Sequence, residues 1–269
     1  MCLNPKIHLG IHEVMLKCAR VRRVSVLFLF SLISVRCFAA IYVIPTANAS
    51  AEGNSSDNAP LGSSEQHFQQ VFNASMLTDI PAGYQIVGLG FRVNGGATAV
   101  PAQTVPRFDI RLSESVFAPG SLSSVFANNR GLDDTLVHSG QLVIQAGQFP
   151  GGSSPNAFGM IPFNGDPYYY NGGNLLIEVA FQGFTTGRDA DAVYPFTAGQ
   201  AQTAFGTGYG STTADIGMFN EAIVFALDVE PIAPVPEHHV GLLAAGIAGI
   251  AIAISRIGNR RQGGPVQTR

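Results

Sequence analysis

Between residues 60 and 230 no apolar period of 3.6 residues survives anywhere, which excludes a helical body. Short runs rich in Val, Ile, Phe and Tyr are broken instead by Gly95-Gly96, Gly151-Gly152, Gly172-Gly173 and proline-containing turns. The candidate strands cover residues 67–73, 85–94, 107–113, 122–127, 139–144, 174–181 and 222–229. In one of them Phe108, Ile110 and Leu112 alternate with Arg107, Asp109 and Arg111, so one face is buried and the other wet. Leu175, Leu176, Ile177 and Val179 continue the theme, with Glu178 turned outward. Strands this short, at this spacing, predict an all-β domain over residues 65–230: an antiparallel β-sandwich of jelly-roll or immunoglobulin-like type.

The two ends carry a different chemistry. Arg20, Arg22 and Arg23 precede the apolar residues 24–35, and Ala47-Asn48-Ala49 offers small residues to a signal peptidase. Residues 1–49 therefore read as a secretory signal helix with a cut between Ala49 and Ser50. Arg36 interrupts the apolar region, and Met15 is an alternative start to Met1. An uncleaved N-terminal helix is the competing reading. Residues 50–64 have little to bury and are expected to be a flexible linker. Residues 231–239 form a proline-rich spacer that holds the domain away from the C-terminal segment.

That C-terminal segment is a tail of ordered parts. Pro236 and Glu237 precede an apolar run over residues 240–254, and Arg256, Arg260 and Arg261 supply a positive stop. Residues 240–257 are expected to be a single transmembrane helix, and residues 258–269 a basic cytoplasmic tail, because cations resist crossing a bilayer. A comfortable span needs about 20 residues for roughly 30 Å of hydrocarbon, so a short run suits a transient anchor. A permanent C-terminal membrane anchor is the alternative.

This order of parts resembles the PEP-CTERM sorting tail of Gram-negative bacteria. Val235-Pro236-Glu237 matches the family motif, and His238 stands where the family carries a second proline. The resemblance implies recognition by an exosortase, a membrane-embedded Cys transpeptidase, after export by the Sec machinery and signal peptidase. The implied location is the cell surface or extracellular space, reached through transient anchoring in the inner membrane. The body is similar to a domain recurrent in such proteins, on the evidence of residues 68–75 (FQQVFNAS), 126–134 (FANNRGLDD) and 170–179 (YNGGNLLIEV). That likeness describes a fold rather than an activity. Exosortase systems accompany exopolysaccharide production, which makes extracellular polysaccharide the implied partner.

Charge narrows the remaining classes. Residues 50–237 hold 17 acidic and five basic residues, a net of −12 that the whole-chain figure of −3 conceals. Both lysines, Lys6 and Lys17, and all three cysteines, Cys2, Cys18 and Cys37, lie before residue 50. A surface so acidic repels nucleic acid, whose binding rests on cations that neutralise phosphate. The body has no thiolate for catalysis, disulfide or metal ligation.

Candidate chemistry is sparse. His67 and His138 are the only histidines in the β-domain, and no Gly-x-Ser-x-Gly elbow accompanies them. Glu114, Asp166, Glu178 and Glu221 are the carboxylates that could pair for glycoside hydrolysis, although no Trp exists to make a sugar platform. No cofactor is expected, calcium being the one exception. Asn128, Asn129, Asp133 and Asp134 form an oxygen-rich loop that calcium would accept, or else a turn whose side chains cap their own backbone. Tyr168, Tyr169 and Tyr170 could stack on a sugar ring, or else send alternate rings into the core. Three readings stand: a non-catalytic surface or extracellular-matrix protein associated with exopolysaccharide, a carbohydrate-binding module, and a secreted hydrolase. The first fits this composition best.

Overall fold

The computed structural model describes residues 39–232 apart from residue 82. The expected signal helix up to residue 38, the motif Pro236 and Glu237, the membrane helix 240–257 and the stop residues Arg256, Arg260 and Arg261 lie outside the described residues. Among the described residues no helix is long and apolar enough to cross a membrane.

The strands, in chain order, are β1 (Ala40–Ile44), β2 (Ser55–Asp57), β3 (Gln66–Phe72), β4 (Tyr84–Phe91), β5 (Gln103–Val105), β6 (Phe108–Glu114), β7 (Thr135–His138) and β8 (Leu142–Ile144). They continue with β9 (Gly159–Pro162), β10 (Tyr168–Tyr169), β11 (Leu175–Phe181), β12 (Ala190–Val193), β13 (Ala201–Thr207), β14 (Gly217–Phe219), β15 (Ala222–Ile223) and β16 (Phe225–Pro231). Helical structure among the described residues amounts to single 3-10 turns such as Phe126–Asn129. One sheet runs β1-β16-β4-β10, with β9 also against β4; a second runs β14-β13-β3-β11-β6-β7. A small third sheet, β15-β12-β2, and the pair β5-β8 complete the set, and the ladders are antiparallel.

Period-two alternation builds the core. Phe68 and Phe72 of β3, Ile110 and Leu112 of β6, and Ile177, Val179 and Phe181 of β11 point inward from the second sheet. Leu89 and Phe91 of β4 and Phe225, Leu227 and Val229 of β16 meet them from the first. Edge-on rings join the two layers: Phe72 lies 5.9 Å from Phe225, and Phe91 lies 6.3 Å from Phe108. The result is a sandwich-like all-β body.

Four expectations need correction. First, the expected cut between Ala49 and Ser50 falls inside the fold. β1 pairs along its length with β16, from Ala40 opposite Val229 to Ile44 opposite Phe225, and Ile44 is buried. Ala47-Asn48-Ala49 belongs to a 3-10 turn and its C-cap, with Asn48 buried. Second, residues 50–64 are packed rather than flexible: β2 lies within them, and Ala59 and Leu61 are fully buried in the main core. Third, residues 122–127 are no strand. Leu122 and Phe126 form a plug that covers Val71 and Leu176 on the outer face of the second sheet, so their hydrophobicity reflects a second apolar cluster. Fourth, the strand expected over 139–144 is shorter: β7 ends before it at His138, residues 139–141 are not strand, and β8 covers only Leu142–Ile144.

These contacts give β1 a measurable role. A chain beginning at Ser50 loses β1, one of the two partners of β16, and with it the buried Ile44 side chain, whose burial alone stabilises by about 1.5–3 kcal/mol. Chemical denaturation should show it less stable than a chain beginning at Ala39 by at least that amount. Equal midpoints would mean that β1 is not part of the folded body.

Candidate functional site

The small sheet is held in place by a buried ion pair. Arg92, just after β4, donates from Nε to Asp191 Oδ2 of β12 at 2.6 Å, and both side chains are inaccessible to water. Arg92 also donates to the Ala51 carbonyl at 2.5 Å, and the Gly53 amide donates to Asp191 Oδ1 at 2.8 Å. A Cβ at Gly53 would lie 2.0 Å from the Ala192 carbonyl, so only glycine permits this approach. Asp191 therefore gathers the segment entering β2, and β12 then pairs with β2 on one side and β15 on the other.

That arrangement presents an edge cleft of ≈ 550 Å³ where the small sheet meets β13 and β14. Asp57 comes from β2, Tyr194 from the residue after β12, and Glu221 from the residue before β15. Burial, with the Asp57 charge adding to it, pushes the Glu221 carboxyl up to about 7. Burial also pushes Asp57 up, against the Ala59 amide that donates to its Oδ1 at 2.7 Å. Gln66 Oε1 has no hydrogen-bond partner although the residue is only 8% exposed. Phe205 and Phe219, 6.0 Å apart between ring centres, form an aromatic wall, and Tyr194 stands half exposed nearby.

A second, charged pocket of ≈ 240 Å³ lies on the outer face of the second sheet. His67 Nε2 meets Glu178 Oε1 at 2.8 Å, and its Nδ1 meets the Ser211 carbonyl. Both ring nitrogens thus face oxygens of neighbouring segments. Arg130 donates to both carboxylate oxygens of Glu178, and Gln69 Nε2 donates to Oε2 at 2.6 Å. Burial alone would raise the Glu178 carboxyl, but His67, Arg130 and Gln69 together hold it at about 2. Arg111 is bound to Asp134 at 2.8 Å, and Asp109 accepts from Tyr209, Ser139 and the Gly140 amide. The cations of this pocket are already paired, and the network clamps the loops carrying Ser211 and Arg130 onto the sheet. Glu178 does point outward, as its position in β11 predicts, yet the loop above leaves it only 4% exposed.

The residues singled out from sequence are largely committed to structural contacts. Asn129 is buried, donating to Gln69 Oε1 at 2.7 Å and to the Ser123 carbonyl while accepting from the Ser123 amide. Asn128 reaches only Ser123 Oγ at 3.3 Å. Asp133 accepts from the Glu114 amide and from the Tyr168 hydroxyl, and Asp134 holds Arg111. The four oxygen-bearing side chains thus serve separate contacts, and among the described residues no group of three His, Cys, Asp or Glu is placed to hold a metal. The tyrosines do not form a platform either. Tyr168 is buried with its hydroxyl on Asp133, Tyr170 donates to the Gly173 carbonyl at 2.7 Å, and only Tyr169 is exposed. Burial drives the Tyr168 phenol upward and pushes Tyr170 up to about 12. His138 is buried at the end of β7, and burial lowers its pKa; neither of its ring nitrogens makes a hydrogen bond to a neighbouring side chain. Of the carboxylates considered for pairing, Glu221 finds Asp57, which lay in the segment expected to be flexible.

No protein-family model, no curated protein and no solved structure matches this chain.

The two shifted glutamates predict a pH profile with opposite limbs. Glu178 sits below its ordinary 4.5, so its contribution is complete above pH 4.5 and is lost as pH falls toward about 2. The size of that limb is about 3 kcal/mol. Glu221 sits above 4.5, so stability declines as pH rises from 4.5 through about 7. Urea midpoints measured from pH 2 to 8 should peak at mildly acidic pH. Glu178→Gln should flatten the acid limb and Glu221→Gln the neutral one. A profile unchanged by both substitutions would refute these assignments.

Proposed function

We propose that this protein is an exported, non-catalytic surface or extracellular-matrix protein, sorted through its C-terminal tail by an exosortase-like transpeptidase and associated with exopolysaccharide. The observation that carries the reading is the order of parts at the end of the chain: Val235-Pro236-Glu237, the apolar run 240–254, then Arg256, Arg260 and Arg261. The acidic body, without lysine or cysteine after residue 37, supports a passive extracellular role. For the architecture we favour the jelly-roll or immunoglobulin-like class. Its support is the non-sequential strand order of the two large sheets, which requires connections that cross between layers.

Export would remove the leader upstream of β1. Cys37 and Ala39 place small side chains two residues apart immediately before Ala40, the spacing that a signal peptidase reads. Cell fractionation with intact-mass analysis of the mature protein tests the whole proposal. The expected product begins near Ala40, ends near the Pro236-Glu237 motif and is found outside the inner membrane. A product that keeps residues 240–269 and stays in the membrane fraction would replace sorting with permanent anchoring.

A further inference from the structure

The chemistry of the edge cleft between the small sheet and β13–β14 is independent of the C-terminal motif on which the export reading rests. The cleft's ionisable acids are Asp57 and Glu221, set among the neutral polar side chains of Ser55, Asn58, Tyr194 and Gln66, and Gln66 Oε1 is buried without a partner. No Lys, Arg or His lines it among the described residues. Two carboxyls that face each other across a half-buried space without a cation are unfavourable, and a cation between them would relieve both. The walls, however, are aromatic. Phe205, Phe219 and Tyr194 offer ring faces, which attract an ammonium and contribute nothing to the all-oxygen shell of six to eight ligands that calcium requires. A volume of ≈ 550 Å³ falls within the range of small-ligand sites.

We propose that this cleft binds a primary ammonium group carried on a short stem, with the Asp57 and Glu221 carboxylates accepting its N–H donors, the Gln66 side chain turning its orphaned Oε1 toward it, and Tyr194 and Phe219 flanking it. An ammonium has three donors and no acceptor, which suits a cleft lined by two carboxyls and no cationic side chain. The chain after residue 17 contains no lysine, so it cannot fill the cleft from its own body. A body with net charge −12 also concentrates cations at its surface. Two sources share this chemistry, the amine of an amino sugar and a lysine side chain, and the same titration separates them. Occupancy would favour the ionised form of Glu221, so binding should weaken as pH falls below about 7, where the carboxyl protonates. Asp57 and Tyr194 are the other titratable groups that face it in the cleft.

Calorimetric titration of the full chain at pH 7.5 tests this with four probes: glucosamine, Nα-acetyl-lysine methylamide, its Nε-acetylated counterpart, and calcium chloride. Saturable binding of glucosamine, of the lysine derivative or of both is expected, and the stronger identifies the source. Nε-acetylation should abolish binding. Glu221→Gln should weaken it at least tenfold, and Tyr194→Ala, a surface change that leaves the fold intact, severalfold. Binding of the acetylated probe as tightly as the free amine, calcium binding that Glu221→Gln abolishes, or no binding of either amine would each overturn the proposal. None of these outcomes depends on whether the tail is processed.

Discussion

The Arg92–Asp191 pair is the contact on which the remainder of this architecture hangs. Neither side chain reaches water, and together they tie the end of β4, the backbone at Ala51 and Gly53, and strand β12 into one knot. Removing one partner of such a pair leaves an uncompensated buried charge and costs about 3–5 kcal/mol, whereas replacing both by apolar groups can be neutral. The pair therefore acts less as a net source of stability than as a specification of where the small sheet sits. Only with β12 fixed do β2 and β15 take up the registers that bring Asp57 opposite Ala190 and Ile223 opposite Ala192.

Buried polar contacts play the same specifying role elsewhere. Gln70 lies on the inward face of β3 among phenylalanines, yet it donates to the Ile223 carbonyl at 3.1 Å and accepts from the Ile223 amide at 2.9 Å. It thus fixes β15 from the core side while Asp191 fixes it through β12. Thr203 of β13 lies within 3.0 Å of both the Gln70 amide oxygen and the Glu221 carbonyl. Glu221 is consequently held at its backbone and left unpaired at its carboxyl. On the opposite face Glu178 does the reverse: it is fully engaged by His67, Gln69 and Arg130 and has nothing left for a ligand. Two buried glutamates in one fold are thereby driven in opposite directions, one by partners and one by their lack.

The sequence made the all-β class and the long central strands legible, because β3, β4, β6, β11 and β16 carry strong alternation or aromatic density. β13 escaped notice: Ala201, Thr203 and Ala204 are small, and the strand is buried by its neighbours rather than by its own hydrophobicity. β1 and β2 escaped for another reason. Ala47-Asn48-Ala49 and the Ser- and Asn-rich residues after it fit the statistics of a processed leader, and the partners that order them lie more than a hundred positions away. Local composition cannot register such pairing. The same distance hid the site: Asp57 and Glu221 have no motif in common, and Arg92 and Asp191 are linked only in three dimensions. The loop of Asn128, Asn129, Asp133 and Asp134 shows the converse. A promising ligand pattern there is used for caps, an ion pair and a tyrosine hydroxyl.

Hydrogen exchange of the Asp191→Asn variant tests this organisation most directly. If the buried pair places the small sheet, amide protection should fall across residues 51–57, 190–193 and 222–223, while β3, β11 and β6 keep theirs. Protection that is unchanged in the small sheet, or lost evenly throughout the body, would contradict the account.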